Sequence, residues 1–280
     1  MAANPPKTTT AARAAALMLG AGLLLAGCAA PAAPAPVAPS DANHGVSTGA
    51  PASPSAAQSS SAPTSASGSV EDATAEEYAV AAGIVEAYTL GFTQSAKASD
   101  ADLAALREPA TDTLEGVVVI PSTCQNVLEG LNWSPAQLGE DAARTDFTPE
   151  NGNITGSIEV AKVPERSSLD AHYALVQELL GSCSNLKMNI QTENSDGSTT
   201  SETVPLKSAA PAVAGGTADS ALLWTRGTQG SAWQQQSLVL IKEKGGHVAM
   251  VSFIAASGVD AAEISTIATG VLNATLAALD

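Results

Sequence analysis

Residues 238–255 read LVLIKEKGGHVAMVSFIA, two apolar runs on either side of a Gly-Gly pair. Both runs are apolar at consecutive positions, which is typical of strands that are buried on both faces. Gly245 and Gly246 suit a tight hairpin turn, because glycine adopts positive φ angles without a steric cost. The stretch therefore predicts an antiparallel hairpin at the centre of a sheet.

Further strands are predicted on the N-terminal side of this hairpin. Apolar and polar residues alternate around residues 154–160, 186–190 and 204–206, and another strand follows Ala218 and ends near Trp224. Short turns such as residues 194–197 connect neighbouring strands. The sequence thus predicts a twisted antiparallel sheet of about five or six strands.

Apolar residues at helical spacing precede, interrupt and follow these strands. Residues 71–108 are predicted to be helical, with a second helix starting near residue 99. Helices packed against an antiparallel sheet define the α+β class. The caps of these two helices are predicted at Thr74 and Ser99. Two further helices are predicted to begin at the caps Ser167 and Asp260, and a short one covers residues 124–131.

The first 27 residues have the features of an export signal. Lys7 and Arg13 form a basic region, and residues 14–25 form an apolar run. The run is shorter than the roughly 20 residues that a helix needs to span a membrane. We therefore interpret residues 1–27 as a cleaved signal peptide, with a short uncut anchor as the alternative.

Leu25-Ala26-Gly27-Cys28 directly follows the apolar run. It resembles the lipobox of bacterial lipoproteins, in which the cysteine receives a diacylglycerol and becomes the first residue of the mature chain. The resemblance implies that Cys28 is lipidated and that its acyl chains hold the protein in a lipid bilayer. It also implies a lipid-anchored protein at the extracellular face of the cell membrane, within the cell envelope.

Residues 28–70 are predicted to be a disordered tether, because after Cys28 they are almost entirely Ala, Pro, Ser, Thr and Gly. A single α+β domain is predicted over residues 71–280. Loss of Lys7 and Arg13 with the signal peptide moves the net charge from −16 to −18. So acidic a chain is not expected to bind nucleic acid.

Cys124 and Cys183 are the two cysteines other than Cys28. Two thiols in one exported domain are expected to form a disulfide, because the compartment is oxidising. Free buried cysteines and a redox or metal pair are the alternatives, although a structural metal site needs more ligands than these two. We predict neither a metal nor a cofactor.

The order of elements is similar to a known family of domains. Cys124 starts a helix, a strand follows, a second helix ends before Cys183, and several strands precede a closing helix. With Pro121-Ser122-Thr123-Cys124, this order over roughly residues 110–280 resembles the extracellular sensor domain of mycobacterial serine/threonine protein kinase H and similar domains of actinobacterial lipoproteins. The resemblance implies a twisted antiparallel sheet with helices beside a cleft that admits a ligand. Kinase-linked members have two disulfides, whereas this sequence has cysteines for one.

The sequence contains no nucleophile elbow, P-loop, dinucleotide fingerprint or zinc-protease motif, and we predict that the domain is not an enzyme.

His44 in the tether and His247 in the Gly-Gly hairpin are expected to be solvated. His172 lies beside the apolar stripe of its helix. The favoured interpretation of His172 is a core-edge residue with one hydrogen bond, and the alternatives are a general base or a pH switch.

A ligand site is predicted at the turn between the strand that ends near Trp224 and the first strand of the hairpin. Trp224 and Trp233 flank a turn that carries Arg226, and Gln235 follows. Aromatic faces beside amides suit sugar or peptide ligands, and Arg226 is able to bind a carboxylate or phosphate. The alternative is a cross-strand aromatic pair that stabilises the sheet.

These features favour a membrane-anchored, non-enzymatic module that binds or senses an unidentified small molecule, glycan or lipid. A lipid or glycolipid carrier is the first alternative, and it would need an apolar cavity on the order of several hundred Å³. An envelope hydrolase is the second alternative, and it would need two close carboxylates in a cleft.

Overall fold

A nine-stranded sheet organises the folded chain. The computed structural model describes residues 73–108, 114–194, 196–228, 230–231, 234–256 and 258–279. The strands are β1 (Gln94–Lys97), β2 (Val117–Ile120), β3 (Ala142–Thr148), β4 (Ile154–Lys162), β5 (Asn185–Glu193), β6 (Thr199–Ala209), β7 (Ser220–Arg226), β8 (Gln235–Lys244) and β9 (His247–Ala256).

The strand order is β1-β3-β4-β9-β8-β7-β6-β5-β2, and every neighbouring pair is antiparallel. The predicted hairpin is β8 and β9, and it lies at the centre of this order. Lys244 pairs with His247 across the turn, so Gly245 and Gly246 alone connect the two strands. Their φ angles are 60° and 81°, which only glycine adopts without strain.

The sheet has nine strands rather than the five or six predicted. The six predicted strands correspond to β4–β9, and the three missed strands are β1, β2 and β3. All four residues of β1 are exposed, so no apolar alternation marks it. β2 is only four residues long, and β3 buries the charged residue Arg144. Their pairing with distant strands, and not their local pattern, makes them strands.

Five α-helices accompany the sheet in the described chain: α1 (Ala75–Thr89), α2 (Asp100–Arg107), α3 (Gln125–Gly130), α4 (Ser167–Leu180) and α5 (Ala261–Ala277). The predicted capping boxes of α1 and α2 are both present. Asp260 caps α5 by accepting from the Ala262 N–H. The predicted cap of α4 is wrong by one residue, since Arg166 holds the cap position without a side-chain bond.

Helices α1 and α5 pack on one face of the sheet. Gly83 of α1 makes this approach possible, because an added Cβ would lie 2.2 Å from Oγ1 of Thr275 in α5. Phe92, Phe147 and Phe253 form a cluster of edge-to-face and tilted rings, with centroids 5.1–5.6 Å apart, in the same core. Helix α1 is therefore part of the main core.

Helices α3 and α4 pack on the opposite face, over strands β2, β5, β6 and β7. The Cys124–Cys183 disulfide joins the start of α3 to the residues after α4, with a Cα–Cα distance of 5.7 Å. This pairing confirms the disulfide that the sequence predicts.

The predicted signal peptide, the predicted lipidation site Cys28 and the predicted tether all lie outside the described residues. Within the described ranges, no helix is both long and apolar enough to cross a bilayer.

Candidate functional site

A cavity lies between the sheet and the layer formed by α3 and α4. Its volume is about 40 Å³. That is room for a few water molecules or for a small ligand group. This central cavity is lined by Leu131, Trp133, Arg144, His172, Val176, Ser220, Leu222, Ser237, Val239, Met250 and Ser252.

Three neighbouring strands each contribute one buried serine to the central cavity. Ser220 is on β7, Ser237 on β8 and Ser252 on β9. The hydroxyl of Ser252 forms a hydrogen bond of 2.7 Å with that of Ser157. No hydrogen bond joins the hydroxyl of Ser220 or Ser237 to another described residue. Two hydroxyl groups are thus available to a molecule in the cavity.

Helix α4 brings His172 to the cavity wall, where its ring stacks on the indole of Trp133. The Trp133 Nε1–H donates to Oγ of Ser168 at 2.9 Å, which fixes the indole. His172 is only 6% exposed, and burial lowers the pKa of its imidazole to about 4. The imidazole is therefore neutral at neutral pH.

The expectation of one satisfied hydrogen bond for His172 is wrong. Its burial matches a core residue, but Nδ1 is enclosed without a hydrogen-bond partner among the described residues. A neutral imidazole has one N–H donor and one nitrogen acceptor. His172 therefore brings hydrogen-bonding capacity to the cavity wall that the described protein does not use.

Arg144, a member of a buried ion cluster, forms another part of the wall. Arg144 of β3 is directly opposite Glu159 of β4, and their side chains form an ion pair. Nε of Arg144 also donates to Asp146 at 2.9 Å, and the hydroxyl of Ser134 donates to the Glu159 carboxylate. Burial alone would lower the pKa of Arg144, but the carboxylates of Glu159 and Asp146 outweigh burial and raise it.

Of the charged residues in this cluster, only Arg144 lines the cavity. Its guanidinium is bound by the carboxylates of Glu159 and Asp146, which offset its charge. A ligand in the cavity would otherwise meet apolar side chains and neutral hydrogen-bonding groups. Among the described residues, no group of three His, Cys, Asp or Glu side chains is arranged to hold a metal ion.

The residues predicted to bind a ligand do not form one aromatic surface. Trp224 is only 2% exposed, because it shares its sheet face with Leu222 and lies in the core under α4. Its Nε1–H has no hydrogen-bond partner among the described residues. Trp233 lies outside the described residues. The prediction that Trp224 contacts a ligand is therefore wrong, because its indole is buried in the core.

Arg226 and Gln235 do lie together, as cross-strand partners on β7 and β8. Nη2 of Arg226 donates to Oε1 of Gln235 at 2.7 Å, and Arg226 is only 4% exposed. Both residues line a second, wider pocket of about 420 Å³ where these strands end. This strand-end pocket is formed by Pro205, Lys207, Thr225, Arg226, Gly227, Thr228, Gln234, Gln235, Gln236, Ala256, Gly258 and Val259.

No protein-family model matches this chain, and no curated protein matches it. Among solved structures, the extracellular domain of PknH from Mycobacterium tuberculosis is similar over 65% of this chain and 82% of that chain. The two share 12% sequence identity, and the TM-score is 0.33. The di-domain ARO/CYC BexL from the BE-7585A biosynthetic pathway is similar over 50% of this chain and 76% of that chain, at 9% identity and a TM-score of 0.16. The first neighbour is the domain that the order of elements in the sequence resembles, but TM-scores this low establish no shared function.

Proposed function

We propose that this protein is an envelope lipoprotein whose domain binds a small ligand in the central cavity without catalysing a reaction. One observation carries the proposal. The imidazole of His172 and the hydroxyls of Ser220 and Ser237 line a single cavity, and none of them has a hydrogen bond to another described residue.

The energetic reason is the cost of leaving polar groups unpaired. A buried donor or acceptor without a partner costs about 1–3 kcal/mol, and most buried polar groups in folded proteins are therefore paired. His172, Ser220 and Ser237 come from three different elements, yet they line the same space. A bound molecule that supplies hydrogen bonds to these groups recovers part of that cost.

The cavity walls define the chemical class of the ligand. Leu131, Val176, Leu222 and Val239 supply apolar contact, and the serines and His172 supply neutral hydrogen bonds. The guanidinium of Arg144 is already bound by Glu159 and Asp146, so the ligand needs no charge of its own. The ligand that fits best is a small, mostly apolar, neutral molecule with hydroxyl or carbonyl groups, or one such end of a larger molecule.

Two features support a binding role over the carrier and hydrolase alternatives. A volume of about 40 Å³ is far smaller than the several hundred Å³ of a typical ligand cavity, and so it gives no support to enclosure of a whole lipid. Asp146 and Glu159 are the carboxylates that contact the cavity residue Arg144, and both are held by its guanidinium. Neither is therefore free to activate a water molecule.

The proposed location rests on the sequence and on the disulfide. Lipid on Cys28 would attach the protein to the outer face of the cell membrane, and residues 28–70 would connect that anchor to the domain. The features of an export signal and the disulfide between Cys124 and Cys183 support an extracellular, envelope-associated protein.

Native mass spectrometry of the full protein, purified from membranes of its own host, tests the proposal. We expect a bound small molecule on the wild type and its loss from His172→Phe, which keeps an aromatic ring against Trp133 but removes both ring nitrogens. A wild-type protein that carries no molecule and binds none from extracts of the host envelope would overturn the proposal. So would equal occupancy of the wild type and His172→Phe.

A further inference from the structure

The outer surface of α1 differs from that of the other long helices in its lack of charge. The exposed residues of α1 are all uncharged: Ala75, Tyr78, Ala81, Val85, Tyr88 and Thr89. Helix α4, by contrast, exposes Asp170 and Glu178, and α5 exposes Glu263. The chain has a formal net charge of −16, so an uncharged surface along a whole helix departs from its general character.

Most of the large apolar side chains that the described chain leaves exposed belong to this surface. Tyr78, Val85 and Tyr88 are 46%, 67% and 61% exposed, and Leu90 follows at the end of the helix. The others are Val118 and Ile120 of the edge strand β2. Single exposed apolar residues are ordinary, whereas a contiguous group of them marks an interaction surface.

Four exposed side chains form an outer stripe along α1: Tyr78, Ala81, Val85 and Tyr88. They are separated by three, four and three residues, which places them within an arc of about 80° around the helix. Gly83 lies on the opposite side of the helix, against α5, so the outer stripe points away from the sheet. Alternating separations of three and four residues are typical of the seam between two paired helices.

The spacing of the outer stripe is the same in both directions, with its midpoint at position 83. Antiparallel pairing of two α1 helices about this midpoint would place Tyr78 opposite the partner's Tyr88. It would also place Ala81 opposite the partner's Val85, so that a small side chain faces a larger one at the centre. A parallel pair would instead place every side chain level with its own copy. The stripe is therefore complementary to itself in the antiparallel orientation.

We propose that the outer stripe of α1 binds a second copy of this chain, with the two α1 helices antiparallel. A two-fold interface of this type uses the same patch on both subunits, as the symmetric spacing requires. Charge favours this surface as the contact, because two acidic chains repel each other wherever like charges meet. Of the acids beside the stripe, Glu77 is paired with Lys97 of its own chain, and Glu86 lies toward α5.

The size of the stripe determines the strength of the contact. A tyrosine buries about 150–250 Å² in full, so the exposed parts of Tyr78 and Tyr88 in two copies amount to about 300–500 Å². Val85, Leu90 and the alanines add to this area, but the total stays below the roughly 1,200 Å² at which stable interfaces begin. The expected dimer is therefore weak and reversible.

This interface is independent of the proposed ligand in the central cavity. Helix α1 packs on one face of the sheet, whereas the cavity lies under α3 and α4 on the other. None of the described residues that line the cavity belongs to α1 or α5. Loss of the dimer would therefore leave ligand binding intact, and an empty cavity would leave the dimer intact.

Cross-linking through an introduced thiol tests the interface in the full protein, in intact cells of its own host. The native cysteines are Cys28 and the disulfide pair Cys124 and Cys183. Val85→Cys adds a thiol to the outer stripe, and antiparallel pairing would place its two copies about 6 Å apart along the helix axis. A short bismaleimide reagent would join them. The matched control is Val118→Cys, the same change at the exposed valine of β2.

We expect a cross-linked dimer from Val85→Cys and its loss in Val118→Cys. The wild type, treated in the same way, measures any linkage through Cys28, and the yields of both variants are compared with it. Three results would overturn the proposal: no dimer from Val85→Cys above the wild-type yield, equal yields at the two positions, or linkage of Val85→Cys to a different protein.

Opposite charges at the two ends of the stripe test the antiparallel orientation. In the Val85→Cys protein, Tyr78→Glu and Tyr88→Lys should each reduce the dimer yield, because a charge replaces an aromatic contact. The two positions are ten residues apart, about 15 Å along α1, which is too far for them to pair within one chain.

An antiparallel partner brings each of these positions opposite the other. Combining Tyr78→Glu with Tyr88→Lys should therefore restore the yield above that of either single change. Thermal unfolding of each variant shows that it is folded, as exposed positions allow. A combined variant that cross-links no better than the single ones would overturn the antiparallel pairing, and the proposal with it.

Discussion

The imidazole of His172 stacks on the indole of Trp133, with ring centroids 4.6 Å apart and an angle of 25° between the ring planes. The two residues come from α4 and from the segment after α3, so the stack joins two parts of the helical layer over the sheet. It also forms one side of the central cavity. The contact therefore links the protonation of one histidine to the stability of the fold.

Stability should fall in mildly acidic solution because of His172. Burial lowers its folded pKa to about 4 from the ordinary value of 6.5. Below about pH 6.5 the unfolded chain gains a proton at this residue, whereas the folded chain does not until about pH 4. The stability is thus complete above about pH 6.5 and is lost as pH falls toward 4, by on the order of 3 kcal/mol.

His172→Phe isolates this contribution from that of the acidic residues. Urea unfolding of both proteins between about pH 7 and about pH 4 gives the free energy of unfolding at each pH. The difference between variant and wild type should grow in favour of the variant as pH decreases. A constant difference over this range would show that His172 does not titrate as its burial requires.

Breaking the buried ion pair should be costly. Glu159 is only 1% exposed, and Glu159→Gln leaves the Arg144 guanidinium with Asp146 as its one described carboxylate partner. We expect a loss of about 3–5 kcal/mol in the free energy of unfolding, measured by urea denaturation. Asp146→Asn is the control, because its carboxylate is partly exposed and should cost about 1 kcal/mol or less. Equal losses for the two variants would contradict the dominance of the buried pair.

The Cys124–Cys183 disulfide should contribute strongly to stability. It joins residues 59 positions apart, and a loop of this length corresponds to about 4 kcal/mol in the chain-entropy model. That is a large share of the free energy of unfolding of a whole domain, which is typically about 5–15 kcal/mol. The double variant with alanine at both positions should melt well below the wild type. Two free thiols in the denatured, unreduced domain would instead refute the bond itself.

Trp224 should act as a core residue and not as a ligand contact. Trp224→Ala is expected to lower the free energy of unfolding by about 3–5 kcal/mol, because it leaves a cavity under α4. Trp224→Phe should cost less, since a ring still fills part of the space. Free energies of unfolding equal to that of the wild type in both variants would contradict the burial of this indole.

The lipid anchor predicted at Cys28 is tested by Cys28→Ala expressed in the native host. The wild type should partition into the detergent phase, whereas the variant should partition into the aqueous phase or be released from the cells. Leu206→Ala, a change in the folded core, is not expected to alter the partitioning. Detergent-phase partitioning of Cys28→Ala would rule out this cysteine as the site of lipidation.

Several predictions that depend on local chemistry were confirmed, whereas the predicted cap at Ser167 was wrong by one residue. The Thr74 and Ser99 capping boxes involve side chains and backbone groups three residues apart. The β8–β9 hairpin depends on two adjacent glycines and two apolar runs. A serine at a core-facing position of an otherwise apolar strand, as at Ser237 and Ser252, is a signal that could have indicated a polar cavity.

By itself the sequence determined the α+β class, the central hairpin and the disulfide, because periodicity, turn residues and cysteine number are local or countable properties. Only the tertiary structure decided that β2 pairs with β5 and that β1 pairs with β3, since neither short strand has an apolar alternation of its own. The same holds for the central cavity, whose walls come from residues between Leu131 and Ser252. Which polar side chains meet there depends on strand order and register, and these follow from the packing of distant segments against one another.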